Sequence, residues 1–313
     1  METMEYEHGF GAVLSPHDSR DYQAKDYITM GVRPLSYFPD FEIPVLDQGS
    51  VGSCVAHALA TLKYCQEHRE RKSNVKYSTD FIYHNRLETD WQGSGMIIRE
   101  ALSQLSKCGV CELSELPTNT NYPNKGTSNC VKALMEEAKP QRVKSYVRCN
   151  NTDEICEAIY QHGGAILAIQ VKTSFNSFYF KTPDNWVMPL PKDSEKFFGY
   201  HCVCAIGYNE DGIIIQNSWG KNWGSNGLAV LPWDYPLQEE WTVVDEVKQW
   251  DVIELIVDSN KMIVNGKEVT IDVPAIIKNG RTMLPVRAIA TAFDCECDWY
   301  DKERKVVIRK EKK

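Results

Sequence analysis

A glycine-bearing loop that runs into an apolar helix, with a cysteine at the join, constrains this chain more than any other stretch. It reads Ile43-Pro-Val-Leu-Asp-Gln48-Gly-Ser-Val-Gly-Ser-Cys54-Val-Ala-His-Ala-Leu-Ala60. Gly49 and Gly52 are turn formers. From Cys54 onward the residues favour helix, with Val55, Leu59 and Leu62 on one apolar stripe. The spacing predicts a helix from Cys54 to about Arg71. A thiol in a first helical turn faces unpaired backbone N–H groups and the positive end of the helix dipole, and both favour the thiolate. Gln48, upstream in the loop, can offer its side-chain amide to an oxyanion. Taken alone, the stretch fits either a nucleophile or a small core residue, and free cysteines are more often the latter.

The rest of the chain narrows the choice. Its 313 residues allow a large core and more than one domain, and 42% hydrophobic with 25% charged residues is ordinary globular composition. The formal net charge is −8. Residues 251–313 hold 12 Lys+Arg and 11 Asp+Glu, a net of +1, which leaves −9 on the first 250. No basic surface is available for phosphate contacts, so nucleic-acid binding is set aside. No apolar run is long enough to span a membrane. The N-terminus, Met-Glu-Thr-Met-Glu-Tyr-Glu-His8, is acidic and does not read as a signal peptide. The expected location is therefore cytoplasmic as made, with release by another route as the alternative. Eleven cysteines then suggest reduced thiols before disulfides.

Along the chain, residues 1–42 are rich in Pro, Gly, Asp and Tyr without sustained periodicity and read as an extended arm, with Gly9-Phe-Gly11 as turn chemistry. Thr79-Asp80 is a candidate cap for a short helix. Ser94 to Lys107 is a second amphipathic helix stopped by Gly109, and 129–138 and 153–162 are further helices. Periodicity then changes to two, and glycine-bounded strands are expected over 165–171, 200–208, 212–217 and 228–231. This is an α+β arrangement over 43–235. Residues 236–251 read as a connector. Beyond it, 252–313 is a small β-rich domain with one helix, Val286 to Phe293, and a turn at Asn265-Gly266.

A cysteine nucleophile needs a base, and the base needs a group to orient it. Of the seven histidines, His201 lies on a predicted strand and Asn217 follows on the next, so a hairpin sets the two side by side. Trp219 is placed to shield that pair from water. In order and spacing, Gln48…Gly-Ser-Cys54, Tyr200-His201-Cys-Val-Cys-Ala-Ile-Gly-Tyr and Gln-Asn217-Ser-Trp219-Gly-Lys-Asn-Trp223-Gly resemble the papain family of cysteine peptidases. The segment Gly95…Ala101-Leu102…Gly109-Val110 matches the family's second helix and turn.

The resemblance implies a papain-like fold of two parts, helical in front and antiparallel β behind. It implies Cys54 as nucleophile, His201 as general base and acid, and Asn217 as orienter. Gln48 with the Cys54 backbone N–H would form the oxyanion hole. Cys54 and His201 are expected to rest as a thiolate–imidazolium pair. Gly95, Tyr200 and Trp219 are the expected substrate contacts, and the partner is a polypeptide. Two positions depart from the family: Val55 replaces the usual aromatic after the nucleophile, and Val51 stands where many members carry a disulfide cysteine. The arm is shorter than the usual inhibitory propeptide and is expected to serve as structural cover in preference to being trimmed.

Residues 252–310 resemble the N-terminal domain of copper amine oxidases, on Asn265-Gly-Lys-Glu-Val, Asn279-Gly-Arg281-Thr-Met-Leu-Pro285-Val-Arg287 and Asp298-Trp-Tyr. No histidine follows His201, so a nitrogen-ligated copper site is not expected there, and attachment or homo-oligomerisation is the implied role. No cofactor or metal is expected elsewhere. Cys108-Gly-Val-Cys111 lacks a second ligand pair, and His57, on the helix after Cys54, points away from the thiol. The reading is a cysteine endopeptidase that works through an acyl-enzyme. An acyl transferase on the same scaffold and a catalytically silent binding protein are the alternatives.

Overall fold

The computed structural model describes residues 8–31, 33–86, 94–118, 129–178, 186–245, 253–264 and 267–310, without the side chains of 129 and 130. The chain divides into two units, Met1–Val247 and Lys248–Lys313.

In the first unit a short strand β1 (Ala12–Val13) precedes the central helix α1 (Cys54–Arg71). The first fourteen residues of α1 are all buried, so this helix is the core of its half and not a surface element. Lys72 in the left-handed conformation ends it, and His68, Arg69 and Arg71 in its last turn suit the negative end of the dipole. Helix α2 (Thr79–His84) is capped by Ser78, whose hydroxyl accepts from Phe81 N–H at 3.0 Å, not by Thr79 or Asp80. Strand β2 (Met96–Ile97) pairs in parallel with β1, so helix α3 (Ile98–Cys108) starts four residues later than its periodicity suggests. At its end Gly109 (φ 78°) is required, since a Cβ there would stand 2.0 Å from the Ala138 carbonyl oxygen.

Helices α4 (Asn129–Ala133) and α5 (Met135–Ala138) replace the single expected helix. Then follow β3 (Ser145–Arg148), α6 (Thr152–His162), β4 (Ala165–Lys172), α7 (Thr173–Asn176), β5 (Phe197–Tyr208), β6 (Gly212–Gln216), β7 (Leu228–Pro232) and β8 (Leu237–Val244). Six strands form one antiparallel sheet in the order β3-β8-β4-β5-β6-β7. Residues 237–244, expected as part of a connector, are thus an interior strand.

Alternation along β5 divides the core. Cys202, Cys204 and Ile206 face α1, whereas Val203 and Ala205 join α6 residues such as Ile155 and Ile159 on the other face. The sheet is covered on both sides. Lys63, 1% exposed within α1, is held by Glu67 at 2.6 Å and by Asp245, just past β8, at 3.1 Å. A buried ammonium is tolerable only with such partners.

The second unit carries β9 (Ile253–Leu255), β10 (Lys261–Val264), β11 (Lys267–Thr270), β12 (Ile276–Lys278), β13 (Arg281–Met283), α8 (Val286–Ala292), β14 (Glu296–Tyr300) and β15 (Lys305–Arg309). They form a three-stranded sheet, β11-β10-β9, and two hairpins. Asn279 and Gly280, both at positive φ, close the β12–β13 hairpin. Among its described residues only Met262, Ile271, Ala275 and Ala290 are buried apolar side chains, the small core expected of about 60 residues. The Asn265-Gly266 turn lies outside the described residues.

Candidate active site

Four side chains named from the sequence come to the mouth of α1 and the start of β5, and all four are buried: Gln48, Cys54, His201 and Asn217. Cys54 opens α1, and backbone amides of Cys202 and Gly11 act on its sulfur. Cys202 follows His201, so the β5 backbone next to the imidazole reaches the Cys54 sulfur. The ring nitrogen Nε2 of His201 donates to Asn217 Oδ1 at 2.7 Å. That oxygen also accepts from Ser218 N–H at 2.8 Å, which identifies it as the amide oxygen and requires the proton on Nε2. Nδ1 is left as the basic nitrogen and accepts no hydrogen bond from a described residue. Trp219 packs on the imidazole with centroids 4.8 Å apart, and Phe175 lies 6.0 Å away on another side.

Gln48 is fixed at both ends. Its backbone N–H donates to Ser218 O at 2.9 Å, and its Oε1 accepts from the Ser218 hydroxyl at 2.6 Å. Nε2 is thereby turned to two carbonyls, Val51 O at 2.7 Å and Gly9 O at 2.8 Å. Ser218 was not singled out from the sequence; its place between Asn217 and Trp219 was the available signal. Removing its hydroxyl loosens the amide by about one neutral hydrogen bond, roughly 0.5–1.5 kcal/mol. Ser218→Ala is expected to lower kcat on a peptide about 2- to 10-fold with KM little changed. Steady-state kinetics check this, and an unchanged kcat would mean the amide is oriented without the serine.

Electrostatics in this covered site oppose the expected ion pair. Burial pushes the Cys54 thiol up to about 11, against the lowering effect of the Cys202 and Gly11 amides. Burial likewise pushes His201 down to about 4, against the raising effect of Asn217. Burial thus favours the neutral form of each group, the thiol of Cys54 and the imidazole of His201. His57 is buried with Nδ1 2.9 Å from Ser53 O, and it too is held down to about 4 by burial.

Of the expected substrate contacts, Gly95 (φ +115°) and Trp219 border the groove, whereas Tyr200 is half-buried and set edge-on to Phe197 at 5.2 Å. Phe175–Trp186, an aromatic-rich stretch that reads from the sequence as a cleft-flanking loop, is described only in part, since 179–185 lie outside the described residues. Phe175 itself is core, packed on Trp219 and Trp223.

Residues 42–234 match the papain family cysteine protease, and residues 237–308 match the copper amine oxidase N-terminal domain. The chain belongs to the papain family. A peptidase C1-like protein of Acanthamoeba polyphaga mimivirus is 27% identical over 282 residues, covering 79% of this chain and 90% of the relative. A cysteine protease of Blomia tropicalis is 27% identical over 202 residues, with 56% of its own length matched. In fold, the chain is similar to xylellain, a cysteine protease from Xylella fastidiosa, with TM-score 0.63, 24% identity, and coverage of 79% of this chain and 99% of that one. It is also similar to the Carica candamarcensis cysteine protease CMS1MS2 in complex with E-64, with TM-score 0.53, 17% identity, and coverage of 68% of this chain and 100% of that one.

The papain-family match ends before β8, although the sheet needs that strand. The copper amine oxidase match begins at its first residue, Leu237. Among the described residues no group of three or more His, Cys, Asp and Glu is placed to hold a metal ion. The cysteines whose side chains are described are free thiols.

Proposed function

We propose that this papain-family protease is an endopeptidase that cleaves through an acyl-enzyme on Cys54. The Cys54 sulfur adds to the peptide carbonyl carbon while its proton passes to His201 Nδ1. The carbonyl π pair moves onto oxygen, which is held by Gln48 Nε2 and the Cys54 backbone N–H. Collapse of the adduct expels the amine, which takes the proton from His201, and leaves a thioester. Water, deprotonated by the same nitrogen, then releases the acid and the thiol. Asn217 keeps the ring in the tautomer this requires.

The observation that carries the reading is the bond from Gln48 Nε2 to the Gly9 carbonyl. A donor placed to hold an oxyanion already holds a peptide carbonyl, at the start of the helix that bears the thiol. The test is covalent labelling of the full-length chain by the thiol-directed epoxide E-64, with hydrolysis of denatured casein followed alongside. Labelling confined to Cys54 together with internal cleavage supports the endopeptidase. Labelling without hydrolysis, but with transfer of the acyl group to an added amine, supports the transferase. Neither labelling nor cleavage leaves the binding-protein alternative. For residues 248–313, attachment or self-association is the role suggested by the domain resemblance.

A further inference from the structure

One peptide unit at the edge of the groove is fixed from inside the protein. Gly95 sits at φ +115°, a conformation that glycine enters freely and other residues avoid, so its own backbone does little to choose an orientation. Two buried side chains choose it instead. Arg86, 3% exposed, donates from Nη1 to the Gly95 carbonyl at 2.7 Å, and the Tyr83 hydroxyl accepts the Gly95 N–H at 3.4 Å. The Arg86 guanidinium lies over the Tyr83 ring, 3.9 Å from its centroid, so the two side chains act as one unit.

The consequence falls on the other side of that peptide. The Gly95 carbonyl and the Met96 N–H belong to one planar trans unit and point in opposite directions. An arginine that draws the carbonyl inward therefore aims the Met96 N–H outward. A peptide carbonyl already meets it there: Met96 N–H donates to Gly11 O at 2.8 Å, and the parallel pairing continues through Ala12 with Met96 and Val13 with Ile97. The same stretch touches the nucleophile and the oxyanion donor, since the Gly11 amide acts on the Cys54 sulfur and the Gly9 carbonyl takes the Gln48 amide. The Met96 donor thus lies within one short extended peptide of the thiol.

A buried arginine contributes little net stability, because an apolar residue of similar volume avoids its desolvation. What its planar fork supplies is direction. We propose that Arg86, seated on Tyr83, is a positioning residue that aims the Met96 N–H at a backbone carbonyl of the polypeptide substrate. The proposal rests on the endopeptidase reading of the groove. In it the donor is Met96, and Gly95, the contact expected from the sequence, supplies the freedom to turn.

Arg86→Met and Arg86→Lys in the full-length chain test this, with melting curves to establish that each variant is folded. Two reagents are compared on Cys54, the modified residue being located by peptide mapping. One is a tripeptidyl chloromethyl ketone, long enough to reach Met96; the other is iodoacetamide, which is not. The ratio of their second-order rates reads the donor, because a change in the thiol or in access to the groove moves both reagents alike. KM and kcat on a peptide of matching sequence are measured alongside.

Arg86→Met is expected to lower the ratio about three- to tenfold, the loss of one backbone hydrogen bond, and to raise KM by a similar factor with kcat little changed. Arg86→Lys, which keeps one donor for the carbonyl, should show a smaller fall. Ratios within about twofold of the unsubstituted chain in every folded variant overturn the positioning role. So does an unsubstituted chain with no preference for the peptidyl reagent. A lowered ratio with no hydrolysis by any form keeps the Met96 donor and overturns the endopeptidase reading.

Discussion

Cys54→Ala is expected to lower kcat/KM on a peptide by at least about 10⁴-fold, the largest effect of any single substitution here. No other described group at the mouth of α1 can form the thioester: Ser53 has no assigned base, and Cys202 is directed into the core beneath. His201→Ala should fall almost as far, since the proposed proton acceptor is then lost, whereas the Gln48 donor remains. The two losses should not add in the double variant, because base and nucleophile act as one unit. The check is initial-rate kinetics with E-64 titration of active enzyme. A Cys54→Ala protein retaining a tenth of the activity would place the nucleophile elsewhere.

Acid is expected to destabilise the first unit well before its carboxylates titrate. His57 and His201 are both buried, and burial lowers each to about 4 from an ordinary 6.5. The native state then binds fewer protons than the unfolded chain as pH falls. Stability is fully present above about pH 6.5 and is lost progressively down to about pH 4, by about 3 kcal/mol for each ring. Urea midpoints at pH 7.5, 6, 5 and 4, with a buried-neutral control such as His57→Gln, measure it. A midpoint that is flat from pH 7.5 to 4 would contradict the burial argument, and a slope unchanged in the control would assign it to other groups. The alkaline side has the opposite sign. Cys54, raised to about 11, contributes stability below pH 9 that is lost as pH rises through 11.

The site was legible because its chemistry is sequential. Cys54 begins a helix that the residue pattern bounds correctly at Arg71, and His201 and Asn217 flank a hairpin turn whose register brings them together. What stayed hidden depends on tertiary contact. Strand β8 was missed because Glu239 breaks its apolar alternation, yet that carboxylate is buried, taking the Trp241 indole N–H at 2.6 Å and the Ser15 N–H at 2.8 Å. Met96 and Ile97 carry a helical pattern but extend instead, because the arm offers them a strand partner. The thiolate expectation followed from the helix dipole and from the partner imidazolium, whereas burial of both groups, which the sequence did not show, opposes either charge. Gly9 and Gly11 looked like turn residues, and only the neighbouring Ser50 and Gly52 carbonyls reveal them as points of backbone contact.

The interior position of β8 has a mechanical consequence. It is hydrogen-bonded to β3 on one side and β4 on the other, and Asp245 just beyond it is clamped to Lys63. A pull transmitted from the C-terminal unit along the chain meets two ladders and an ion pair before it reaches anything that can peel. If that unit grips a surface, the tether joins the peptidase at a strand paired on both of its edges.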